Sequence, residues 1–154
     1  VRTPVRTRVR RLTRQVADEG VTAMSNVELI AAARDNIVQS YAPFSKFRAG
    51  AAVRCSDDRM VPGVIVENVS LGLSMCAERV AMFSAVAQGT RPVALALAAP
   101  DTDGGPTWPC GACLQVGLEL GGPDMLVVVG DNKGGPVQQS TIGDLLPRGP
   151  HVNV

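Results

Sequence analysis

The chain has 154 residues, 45% hydrophobic and 19% charged, with a net charge of +1; that is the size of one domain and too apolar for a disordered polymer. Its longest unbroken apolar run, Val93 to Ala99, falls far short of the roughly 20 residues of a transmembrane helix, which argues against a membrane protein. With three Phe, one Tyr and one Trp there is little material for a base-stacking platform, so a nucleic-acid partner is not expected.

Arg2, Arg6, Arg8, Arg10, Arg11 and Arg14 crowd the start of the chain and leave the remainder net acidic. Residues 1–23 are therefore read as a basic extension, disordered or loosely helical, with Met24 a candidate start for a domain over 24–154. The extension has no apolar core of the secretory type, and the expected location is the cytoplasm. Ser25-Asn26-Val27-Glu28 has the form of a capping box. Ile30, Ala33 and Ile37 then follow at helical spacing to about Ser40, where Tyr41-Ala42-Pro43 breaks the pattern. Phe47, Ala49, Ala51, Val53 and Cys55 alternate as a strand, Ser56 to Arg59 is turn chemistry, and Met60 to Val66 is a second strand whose Pro62 belongs at an edge or bulge.

Residues 77–88 are mostly small and apolar and end at Gly89, predicting a helix buried on most sides. Val93 to Ala99 predicts a central strand. Cys113, Val116, Gly117 and Leu120 share a helical face, and Gly121-Gly122-Pro123 stops that helix. Met125 to Val129 is a further strand, and Asp144 to Leu146 a last helical turn. The order predicts an α/β protein, a mixed sheet of roughly five strands between helical layers.

The four cysteines are not equivalent. Cys55 sits on the apolar face of the first strand and reads as a buried hydrophobe. Cys76 precedes one predicted helix, and Cys110-Gly111-Ala112-Cys113 straddles the start of another. Positions three apart at a helix start lie on nearly one side, where unpaired N–H groups stabilise thiolate. If the two helix starts face each other, three sulfurs converge on one ion, and three protein ligands are the count of a catalytic zinc site. A redox dithiol or disulfides are the other readings of these cysteines. The redox pair leaves Cys76 unexplained, and disulfides suit a secreted chain. His151, near the C-terminus, reads as a surface histidine rather than a fourth ligand. Glu78, two residues beyond Cys76, is either a first-turn glutamate favoured by the helix dipole or a carboxylate placed to move protons beside a metal-activated water.

Cys76-Ala77-Glu78 followed by Pro109-Cys110-Gly111-Ala112-Cys113 resembles the zinc-dependent nucleoside deaminases, most of all the short-chain cytidine deaminases. The resemblance runs from about residue 26 to 147. It takes in Tyr41 to Phe47, Gly50-Ala51-Ala52, Glu67-Asn68-Val69-Ser70, Gln115 and Gly143 to Pro147. It implies a three-layer α/β/α fold, Zn2+ on Cys76, Cys110 and Cys113, and Glu78 as proton shuttle in converting cytidine or deoxycytidine to the uridine and ammonia. It also implies Phe47 packing on the base, Glu67 accepting from the ribose, and a homotetramer working in pyrimidine salvage. Arg79 would offset the excess charge of three thiolates by hydrogen bonding. Phe47 as core and Glu67 as a surface charge remain the structural alternatives. Where the family commonly reads Cys-Asn-x-Glu before Asn-Ala-Ser-Tyr-Gly, this chain has Ile65 for the asparagine and Leu71 for the tyrosine, and Leu114 replaces the common arginine after the last cysteine. The catalytic part is thus kept and the sugar-reading part altered. Deamination of another aminopyrimidine nucleoside or amino-heterocycle, as in blasticidin-S deaminases, is the alternative function, and a non-catalytic zinc scaffold a more remote one.

Overall fold

Alternation along the strands sorts their side chains onto two faces, and each face collects its own helices. The computed structural model describes residues 26–151; the basic extension, Met24 as a domain start and the Ser25 cap lie outside them. Helix α1 (26–36) is extended by a single 3-10 turn, Ile37–Gln39. Strands β1 (Gly50–Cys55) and β2 (Met60–Val64) form a hairpin, followed by α2 (Ala77–Ala87), β3 (Pro92–Ala98), α3 (Gly111–Gly121), β4 (Leu126–Gly130), β5 (Val137–Thr141) and α4 (Ile142–Leu145). The sheet order is β2-β1-β3-β4-β5. Only β3 and β4 are parallel, joined by the α3 crossover; every other neighbouring pair is antiparallel.

One face carries Ala51, Val53, Leu95, Leu97, Val127 and Val129 against Ala81 and Met82 of α2 and Leu118 of α3. The other carries Ala52, Ala94, Ala96, Ala98 and Val128 against Leu29, Ile30 and Ala33 of α1. This is the expected three-layer arrangement of a mixed five-stranded sheet. Each large side chain fully buried here, such as Leu29, Met82 or Leu95, contributes about 1.5–3 kcal/mol. Among the described residues no helix is long and apolar enough to cross a membrane.

Some boundaries differ from the sequence expectation. The first strand begins at Gly50 rather than Phe47, because the chain turns at residues 43–45 and stays irregular beyond them, with Lys46 at φ 62° and the Ser45 hydroxyl accepting from the Phe47 N–H at 3.0 Å. The second strand ends at Val64 rather than Val66. Beyond it the chain leaves β1, and Val66 forms single bridges to Tyr41 and Met75 instead. Pro62 lies on edge strand β2, where a missing N–H is tolerated. Strand β5, Val-Gln-Gln-Ser-Thr, has no apolar alternation and was not anticipated as a strand.

Gly63 lets α2 approach β2 closely. A Cβ there would overlap the Ala77 carbonyl and the Ala81 backbone, so the missing side chain lets the first turn of α2 lie directly on β2. That turn carries Cys76 and Glu78.

Candidate metal centre and its cavity

Cys76 is the N-cap of α2 and Cys110 the N-cap of α3. Their backbones match, with φ/ψ of −67/149° and −68/164°. Neither side chain caps its own helix, so both sulfurs are free to face outward from the helix mouths. Cys113 is in the first turn of α3 and fully buried. The Cys76 and Cys110 sulfurs are 4.0 Å apart, those of Cys110 and Cys113 3.6 Å, and all three lie within 4.8 Å of one another. Ligands at about 2.3 Å around a tetrahedral zinc stand about 3.8 Å apart, so these three fit one such ion. His151 is exposed and outside the cluster. Cys55 is buried in the core on β1.

The charges around the sulfurs are coupled. The Cys113 thiol hydrogen-bonds to Cys76 and, with help from Arg79 and against burial, draws the Cys76 thiol down to about 5. Cys113 moves the opposite way, since it supplies that hydrogen bond and is itself buried. The Arg79 guanidinium donates to Cys76 Sγ at 3.6 Å, placing positive charge where several thiolates would otherwise repel one another. Glu78 is 4% exposed, and burial pushes its carboxyl up to about 7, with the Cys76 charge adding to the effect. A bound dication would favour its ionised form.

Cys76, Cys110 and Glu78 face a cavity of about 180 Å³ beyond the carboxyl end of β3, the end at which open α/β sheets bind ligands. Its polar residues are Cys76, Cys110, Glu78 and Thr107. Phe47, Ile65, Leu97, Ala99 and Trp108 are the larger apolar contributors. Sequence reasoning placed Phe47 here but passed over Trp108 and Thr107. The signal for Trp108 was the chain's single tryptophan, two residues before Cys110.

Glu67 is not among the cavity-lining residues. Its carboxylate accepts from the N–H groups of Phe44 at 2.9 Å and Ser45 at 3.2 Å and from the Ser45 hydroxyl, and these bonds, the hydroxyl first, hold its pKa below the usual range. Leu114 is buried in the core, and Leu71 stands 81% exposed on the surface.

A family model described as the cytidine and deoxycytidylate deaminase zinc-binding region matches residues 5–98. That match includes Cys76 and Glu78 and begins inside the basic extension. Over 108 residues the chain is 43% identical to a cytidine deaminase of Halalkalibacterium halodurans, covering 70% of this chain and 80% of that one. It is 44% identical to one of Mycobacterium tuberculosis, covering 70% and 76%. The crystal structure of a cytidine deaminase from Burkholderia pseudomallei superimposes with a TM-score of 0.73 at 46% identity, covering 78% of this chain and 94% of that one.

Proposed function

Since the chain belongs to the cytidine and deoxycytidylate deaminase family, we propose that it is a zinc-dependent hydrolase that converts cytidine or deoxycytidine and water to the uridine and ammonia. The observation that carries this reading is the buried carboxylate of Glu78 facing the same cavity as two of three convergent sulfurs. Cys76, Cys110 and Cys113 would hold the zinc. When bound, zinc supplies the Lewis acidity that makes a water nucleophilic near neutral pH. Glu78 takes the proton released as the C4–O bond forms and delivers it to ring N3. It then takes the remaining proton from the new C4 hydroxyl as the carbonyl forms and passes it to the amino group, which leaves as ammonia as the C4–N bond breaks. Phe47 and Trp108 offer apolar surface to the ring. Arg79 positions Cys76 and balances its charge. A purely structural zinc scaffold has no use for Glu78, whose burial is costly unless the carboxyl has a task.

Incubation of the zinc-loaded protein with cytidine and deoxycytidine should release ammonia with stoichiometric uracil nucleoside. Absence of release from both, with zinc bound, would overturn the reading. A cytoplasmic setting, where thiols stay reduced and available to metal, belongs to the same proposal. So does a homotetramer: Val69, Leu71 and Leu73 stand 82%, 81% and 69% exposed on one short segment, the sort of apolar patch that contacts between subunits cover. Light scattering on the active protein should give four chains; a stable, active monomer would refute the assembly.

A further inference from the structure

Two walls of the cavity are joined by a single loop. Leu97 and Ala99 line it from the end of β3, and Thr107, Trp108 and Cys110 line it from the approach to α3. The outgoing side of the loop is tied to the sheet, since the Ala99 N–H donates to the Gly130 carbonyl at 3.2 Å. Its tip is a tight hairpin. Asp103 and Gly104 have φ of 52° and 80°, the two positive angles of a type I′ turn, and Thr102 and Gly105 exchange N–H to carbonyl bonds of 2.9 and 3.1 Å across it. A second closure lies between that hairpin and the cavity. The Thr107 hydroxyl donates to the Pro100 carbonyl at 2.6 Å. Its one proton is engaged there, so it accepts from the Thr102 hydroxyl at 3.1 Å. Thr107 thereby ties the returning side of the loop to the outgoing side, one residue before Trp108. The indole is half-buried, packed against the core and lining the cavity. Its backbone lies between the clamped Thr107 and the buried Pro109, and a residue before proline is confined to extended conformations. Cys110 is fixed separately as the N-cap of α3, its carbonyl accepting from the Leu114 N–H at 2.9 Å.

We propose that Thr107 is a positioning residue for the substrate ring: its hydroxyl clamps the loop between β3 and α3 and holds the Trp108 indole as a fixed wall of the cavity. The inference rests on the deaminase reading above. The clamp acts on binding and leaves the metal site and the proton transfers to other residues. A wall that supports bound substrate and transition state alike shows itself, when loosened, as a raised KM with kcat nearly kept.

Thr107→Val keeps the shape of the side chain and removes the hydroxyl; Thr107→Ser keeps the hydroxyl and removes the methyl. The zinc-loaded wild type and both variants would be assayed for ammonia release from cytidine. Trp108, the single tryptophan of the chain, would report on the wall by acrylamide quenching and by its emission during titration with the product uridine. In Thr107→Val, KM and the uridine midpoint should each rise about three- to tenfold, the effect of one net hydrogen bond. Its kcat should stay within about twofold of the wild type, its zinc content should be unchanged, and Trp108 should be more open to acrylamide. Thr107→Ser should match the wild type in each readout. Unchanged KM and midpoint in Thr107→Val would overturn the assignment even if Tm fell, because the bond would then be structural only. Loss of zinc without a change in KM would overturn it as well, since the hydroxyl would then serve the metal site. Trp108→Ala removes the wall itself and breaks no bond of the clamp. It should keep zinc and raise KM at least about threefold; an unchanged KM there would overturn the assignment whether or not Thr107→Val folds. Each of these results leaves the deaminase reading standing. Failure of the wild type to release ammonia would overturn that reading and this assignment with it.

Discussion

Replacing Glu78 with Gln should leave zinc bound and reduce turnover by about 10²–10⁴-fold, the usual contribution of a positioned acid–base group. Glutamine has nearly the same shape but trades one carboxylate oxygen for an amide NH2 that cannot exchange a proton with substrate, so it tests proton transfer rather than packing. It is also neutral. The carboxyl it replaces is 4% exposed and raised to about 7 by burial, so the substitution removes a desolvation burden and should not unfold the protein. Zinc content by atomic absorption and ammonia release by a coupled assay give the two readouts on one sample. Retention of more than about a tenth of the turnover would remove Glu78 from the chemistry.

Cys113→Ala should lose metal and activity together. Cys113 is the fully buried member of the sulfur cluster; without it the site has two thiolates and cannot complete a three-ligand set. Since a metal that binds only the folded state stabilises it by mass action, the rise in Tm on adding zinc to the wild type should disappear in this variant. Cys55→Ala is the matched control. Cys55 is also buried, at 1% exposure, but it lies at the end of β1 in the core and outside the sulfur cluster, so zinc content and turnover should persist even if some packing stability is lost. Full zinc occupancy in Cys113→Ala would sink the ligand assignment.

Which elements could be read from the chain follows from how local their causes are. Helices α2 and α3 were legible because apolar spacing and the terminating glycines lie within each segment. The central strands were legible because a short apolar run flanked by turn residues has few other uses. Strand β5 was not, since Val-Gln-Gln-Ser-Thr has no alternation and Val137 as its one apolar residue. It is a strand because β4 offers an unpaired edge, with Val127 registering on Ser140 and Val128 on Gln139. The turn at 43–45 was hidden for a similar reason. It is held by Glu67, more than 20 residues away in sequence.

The sequence by itself determined the chemistry of the centre. It placed Cys110 and Cys113 three apart at a helix start and Glu78 two residues after Cys76, and spacing within one helical turn dictates which side chains share a side. Only the tertiary structure decided that Cys76 meets Cys110 across a separation of 34 positions. It does so because Gly63 lets α2 lie on β2 and the β3–α3–β4 crossover brings the start of α3 to the same end of the sheet. The same packing decided what surrounds the metal site. Ile65, Leu97 and Trp108 are distant in sequence and line one cavity, while Glu67, close to Ile65 in the chain, turns to clasp Phe44 and Ser45. Local spacing cannot choose between those two directions; the partners available across the fold do.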